Sequence, residues 1–129
     1  MQLDMVGIIV ADMAKAIAFY NLLGFAVKGD VSADYTELTS QSIRISLNSK
    51  TMITSIYGFE PELTGERLEL AFLCDSPASL EQKIADIRMA GFKIFKEPWN
   101  AFWGQYYAII EDPDGNYLSL FCHGLKEGS

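Results

Sequence analysis

The sequence predicts an α+β protein in which one supersecondary unit is written twice. Three observations carry this. An apolar run followed at once by an amphipathic helical stretch occurs near residue 3 and again near residue 68. Each helical stretch stops at a Gly-Phe pair, Gly24-Phe25 and Gly91-Phe92. Each half then closes on a strand-like segment, IRISL at 43–47 and YLSL at 117–120, preceded by a polar turn.

The elements follow in order. Residues 3–10 (LDMVGIIV) read as a strand. Asp12 is placed to cap the next helix, because its carboxylate can accept backbone N–H groups that have no intrahelical partner. The helix runs from Met13 to Leu23, with Met13, Ala16, Ile17, Tyr20 and Leu23 on one face. Phe25 to Lys28 opens a meander whose last strand is 43–47, after the polar stretch Thr39-Ser40-Gln41-Ser42. Leu68 to Cys74 begins the second copy. Asp75 or Ser76 caps its helix, Pro77 fits the first turn, and Leu80, Ile84 and Ile87 stripe it. Phe92 to Phe95 is the next strand, and Asp112-Pro113-Asp114-Gly115 is the turn before the last. The expected organisation is one domain over 1–129, with module one about 1–50, a linker about 51–66 and module two about 67–124.

Composition bounds the function. The chain has 129 residues, half of them hydrophobic, which is enough for one real core. Ten Lys+Arg against seventeen Asp+Glu give a net charge of −7, so no basic surface is available for nucleic acid or an anionic membrane. No apolar run approaches the length of a membrane span, and Val6 to Ala11 is too short for a secretory signal. Cys74 and Cys122 lie in apolar runs and read as buried free thiols of a reducing, cytoplasmic compartment. A lone histidine, His123, excludes histidine-rich metal sites.

The doubled module, with Leu3 to Asp12 (LDMVGIIVAD), Ala18 to Tyr20 (AFY), Leu23 to Phe25 (LGF) and above all Glu97 to Phe121 (EPWNAFWGQYYAIIEDPDGNYLSLF), resembles the vicinal oxygen chelate superfamily. That group includes glyoxalase I, extradiol dioxygenases, fosfomycin-resistance enzymes and bleomycin-resistance proteins. The resemblance covers nearly the whole chain. It implies two βαβββ modules forming a cupped, partly open barrel, and a homodimer, often with modules shared between subunits.

The resemblance also implies four metal-ligand positions on the first and last strands of the modules. They fall at Met5, Ser46, Glu69 and Ser119. Only Glu69 is a credible ligand, since divalent ions in such sites want His and carboxylate donors. No metal and no cofactor are therefore expected. Glu69 reads either as a rim carboxylate or as an acceptor or general base in the cup.

Strand alternation gives the cup lining. With Ser119 inward, Tyr117 and Phe121 point inward too, while Leu118 and Leu120 pack under a helix. A turn pairing Glu111 with Asn116 sets Ala108 opposite Ser119 and Tyr106 opposite Phe121. The same count sets Tyr35 opposite Ser46 and Glu37 opposite Arg44, an ion pair that a ligand could also use. Residues 98–104 (PWNAFWG) read as a loop with three large aromatics. They stack on a ligand, close the barrel mouth or fill a dimer interface. Candidate ligand-binding residues are Met5, Tyr35, Arg44, Ser46, Glu69, Phe102, Trp103, Tyr106, Ser119 and Phe121.

The function expected is binding of an aromatic or amphipathic small molecule without a metal, as in bleomycin-resistance proteins. The alternative is a glyoxalase-type lyase or isomerase with a divergent metal site and Glu69 as base. Whether the chain is an enzyme is left open by the residues.

Overall fold

The computed structural model describes residues 1–65 and 68–127. The expected boundary between linker and second module, at 66 and 67, lies outside the described residues. The chain divides into two compact units, Met1–Leu63 and Thr64–Ser129.

The first unit holds β1 (Met5–Val10), α1 (Met13–Leu22), β2 (Val27–Lys28), β3 (Tyr35–Leu38), β4 (Arg44–Ser49) and α2 (Lys50–Tyr57). Its sheet has the order β1-β4-β3-β2, with β1 parallel to β4 and the other pairs antiparallel. Asp12 caps α1 as expected, its carboxylate accepting from the Lys15 N–H at 3.0 Å. Val10, Ala16, Phe19, Tyr20, Leu38 and Leu47 form the core between α1 and this sheet. Phe19 belongs to that buried face with Ala16 and Tyr20, whereas Met13 and Leu23 do not.

The second unit repeats the plan. It holds β5 (Leu70–Leu73), α3 (Pro77–Met89), β6 (Lys93–Asn100), β7 (Gln105–Glu111) and β8 (Tyr117–His123). The order is β5-β8-β7-β6, and β5 is parallel to β8. Ser76 caps α3 in a reciprocal capping box with Ser79, and Pro77 occupies the first turn. Leu80, Ile84 and Ile87 of α3 are buried with Ala108, Ile110, Leu118, Leu120 and Cys122 of the sheet. Cys74 and Cys122 are free thiols, and burial pushes both above the ordinary thiol range.

Two expectations about elements are corrected. The region expected to be linker contains α2, bracketed by Ser49, whose hydroxyl accepts from the Met52 N–H, and by Gly58. Its sequence, KTMITSIY, is rich in Thr and Ile, which are indifferent helix formers. The ends, rather than the interior, carry its signal. The stretch expected to be a loop at 98–104 is half strand, since β6 runs to Asn100 and only residues 101–104 turn. Register shifts between Lys96 and Trp99 accommodate Pro98, which has no N–H to give a ladder.

Candidate functional site

In each unit the helix covers one face of the sheet, and strand alternation commits the other side chains to the far face. On β8 Leu118, Leu120 and Cys122 point to the α3 side, and Tyr117, Ser119 and Phe121 to the far face. The parallel pairing puts Ala71 beside Ser119 and Leu73 beside Phe121. Glu69 precedes them in the same alternation.

The register of β7 differs from the expected one by one residue. Glu111 pairs with Tyr117, Ile109 with Ser119 and Tyr107 with Phe121. The cause is the turn. The Asp112 N–H donates to the Asn116 carbonyl at 2.9 Å, so Asp112 and Asn116 close it together. The Asp112 carboxylate pins it by accepting from the N–H groups of Asp114 and Asn116 and from the Asn116 amide. A one-residue shift moves a side chain to the other face. Tyr106 therefore leaves the candidate site. It is buried on the α3 side, opposite Cys122, and its hydroxyl donates to Glu81 at 3.3 Å. Burial, first of all, raises its pKa.

Tyr107 takes its place and becomes the hub of an aromatic surface that the sequence reading missed. Its ring lies 6.2 Å from Phe121 in a stacked arrangement and meets Trp99 and Trp103 edge to face at 5.4 and 5.0 Å. Trp99 and Trp103 are 6.2 Å apart, and Phe121 continues to His123 at 5.8 Å. The Tyr107 hydroxyl donates to Glu69 at 3.4 Å. The Trp103 indole N–H donates to the Gln105 side chain at 2.8 Å, and the Lys96 ammonium lies 4.0 Å over the Trp99 ring. Phe102 stands at the tip of the turn, 97% exposed, touching Trp103 edge to face. Gly104 completes the turn at φ +96°, a conformation that other residues adopt at a cost.

Beside this surface the far face carries a cavity of about 320 Å³, bounded by Gly65, Leu68, Glu69, Phe95, Ile109, Tyr117 and Ser119. Phe95 packs against Tyr117 at 4.7 Å to form one wall. At the other end the Gly65 backbone lies directly on the 112–116 turn. A Cβ there would come within 2.2 Å of the Gly115 carbonyl oxygen, and φ is +67°.

The first unit places Met5, Tyr35, Arg44 and Ser46 together on its own far face. Met5 pairs with Arg44 and Gly7 with Ser46, as alternation requires. The expected antiparallel register is off by two residues, with Tyr35 opposite Asn48 and Glu37 opposite Ser46. An even shift leaves every side chain on its face. Arg44 still reaches Glu37, at 2.6 Å, and also Asp4, at 2.9 Å. The hydrogen bond that the guanidinium donates to Glu37, then the one to Asp4, holds it more firmly protonated than usual. Ser46 is buried and accepts from the Asn48 amide at 3.2 Å. Here too a third-strand tyrosine serves the first-strand position: the Tyr35 hydroxyl lies 3.7 Å from the Met5 sulfur, as Tyr107 lies against Glu69.

The residues at the four implied metal positions do not fit a divalent ion. They offer a thioether, two neutral hydroxyls and one carboxylate, and Ser46 and Met5 are already engaged within their own module. Among the described residues no three His, Cys, Asp or Glu side chains form a group that could hold a metal ion. No helix of the described residues is long and apolar enough to cross a membrane.

The model of the Glyoxalase/Bleomycin resistance protein/Dioxygenase superfamily matches residues 2–120. No curated protein is similar to the chain in sequence at a significant level. Among solved structures, a glyoxalase/bleomycin resistance protein/dioxygenase family enzyme from Burkholderia phytofirmans is similar at TM-score 0.84 and 21% identity, over 95% of this chain and 98% of that one. A glyoxalase-related enzyme from Fulvimarina pelagi is similar at TM-score 0.86 and 13% identity, over 95% and 88%. A lactoylglutathione lyase from Agrobacterium tumefaciens is similar at TM-score 0.67 and 12% identity, over 94% and 92%. At these identities the likeness is one of fold.

Proposed function

Because the chain belongs to the glyoxalase/bleomycin resistance protein/dioxygenase superfamily, we propose that it binds an aromatic or amphipathic small molecule, without a metal, on the far face of its second sheet. The observation that carries this reading is the run of rings Trp99, Trp103, Tyr107 and Phe121 with Glu69 at its border. Flat rings offer stacking area at low entropic cost, and a carboxylate beside them supplies one oriented polar contact. The adjoining cavity is large enough for a ring or a short chain. Glu69 and Ser119 are the polar handles within it. The protein acts as a homodimer in the cytoplasm under this proposal, with no nucleic acid or membrane partner.

The test is a titration of the purified protein with glycopeptides and planar cations, followed by calorimetry and by emission of Trp99 and Trp103. The expected outcome is saturable quenching with Kd of about 1–100 μM. Absence of binding across the panel by folded protein overturns the reading. Turnover of a hemithioacetal after addition of nickel, zinc or manganese overturns the metal-free part and puts a lyase in its place.

A further inference from the structure

The aromatic surface is built on a hairpin end that has its own anchor on the opposite face. Residues 101–104 turn between β6 and β7, and Trp103 folds back from that turn onto Tyr107. The turn is held from inside by the Ala101 N–H on the Gln105 carbonyl at 2.8 Å and the Gly104 N–H on the Ala101 carbonyl at 3.0 Å. The Trp103 indole N–H on Gln105 and the ring contacts to Trp99 and Tyr107 add to these bonds, but all of them lie within the β6–β7 hairpin and do not anchor it to the helix side.

The chain beyond β8 supplies the rest. The Tyr106 N–H donates to the Gly124 carbonyl at 2.9 Å. The Asn100 side chain then grips Lys126 at both backbone groups. Its amide donates to the Lys126 carbonyl at 3.0 Å, and its carbonyl accepts from the Lys126 N–H at 2.8 Å. The Lys126 ammonium crosses to α3 and meets both carboxylate oxygens of Glu81, at 2.8 and 3.1 Å. Glu81 also accepts from the Tyr106 hydroxyl, and the ammonium lies 5.9 Å from the Tyr106 ring.

We propose that Gly124–Lys126 is a strap that positions the aromatic site, with Asn100 and Lys126 as its positioning residues. Asn100 and Tyr106 flank the turn, and the strap ties both to α3. Tyr106 and Tyr107 are consecutive on β7 and face opposite ways. Fixing Tyr106 from the α3 side therefore fixes the backbone that presents Tyr107, Gln105 and Trp103 on the far face. The strap touches no ligand, and its effect on binding passes through the pose of Trp103. The proposal rests on the aromatic face being the binding surface only for that last effect.

The test reads Trp103 directly. The chain has two tryptophans, so Trp99→Phe leaves Trp103 as the sole emitter. In that background Asn100→Ala, Lys126→Ala and the double variant are compared by acrylamide quenching, near-UV circular dichroism and far-UV circular dichroism. The expected result is a quenching constant raised about twofold in the double variant, with a red-shifted emission and unchanged secondary structure. Lys126→Arg keeps the Glu81 pair and restores the parent values. Lys126→Ala alone, an exposed substitution that leaves the core untouched, gives a smaller change of the same sign. Parent-like quenching in all three variants overturns the strap, whatever binds. In the native-tryptophan protein, the tightest-binding planar cation of the panel loses about tenfold in affinity in the double variant. An unchanged affinity together with altered quenching overturns the link to binding. A panel with no binder leaves the quenching result decisive for the strap and counts only against the proposed function.

Discussion

Tyr107 is flanked by Trp99, Trp103 and Phe121, and its hydroxyl serves Glu69. Two substitutions separate these roles. Tyr107→Phe keeps the ring and removes the donor, so Glu69 loses an orienting partner. Because Glu69 is exposed, stability should change by no more than about 0.5 kcal/mol in a urea titration, while affinity for a cationic ligand shifts. Tyr107→Ala removes the ring and should weaken an aromatic ligand by about 1–2 kcal/mol, read by calorimetry. Tyr106→Phe is the control. It deletes the hydroxyl that reaches Glu81, keeps the Tyr106 N–H on Gly124 and the Lys126–Glu81 pair, and should therefore cost far less affinity than Tyr107→Ala. Both tyrosines stand in the run YYAIIE, in which every position from 106 to 110 is apolar or aromatic. Neither face of the strand is marked by polarity, so no local pattern could tell them apart.

At the scale of elements, helix ends and turns carry the information that interiors lack. The reciprocal bonds of Ser76 and Ser79 at the start of α3 satisfy two backbone donors at 3.1 and 3.0 Å. Ser76→Ala should cost about 1 kcal/mol in a urea titration and leave binding intact. The strap makes an element-scale prediction with a sign. Lys126 holds the Glu81 carboxyl below the usual carboxylate range, and Glu81 holds the Lys126 ammonium above the usual lysine range. A lowered acid stabilises the fold above its unfolded pKa and loses that contribution as pH falls through the folded value. A raised base stabilises below its unfolded pKa and loses it as pH rises through the folded value. The Tm difference between parent and Lys126→Ala should thus be flat from about pH 5 to 10 and shrink beyond either end. A difference that grows in acid would contradict the pairing.

For the whole molecule, the charge of −7 makes a further expectation. With seventeen acidic against ten basic side chains, the protein should pass unretained through immobilised heparin at ~50 mM salt. Retention there would contradict the proposal that nucleic acid is not a partner. At the aromatic surface Glu69 borders the rings through the Tyr107 hydroxyl. The repeat is a whole-molecule feature as well. The two sheets share the order first-fourth-third-second strand, and each joins its first and last strands in parallel. The repetition extends to Tyr35 against Met5 and Tyr107 against Glu69, although the partners differ in chemistry.

Much of this was legible in the residues alone. Asp12, Gly24, Pro77 and Gly91 mark helix ends by backbone chemistry that acts within a few residues, so the two modules and their family could be read directly. The far-face placement of Met5, Glu69, Ser119 and Phe121 followed from alternation outward from one anchored position. What crossed a turn was not legible. Asp112 closes its turn with Asn116 through bonds that depend on the folded backbone, and that single choice exchanged Tyr106 for Tyr107. The grip of Asn100 on Lys126 joins residues 26 apart in the chain. Local chemistry fixed the elements and their caps. Register and the tertiary anchors, which arise only when distant segments compete for the same backbone groups, decided which side chains share a face.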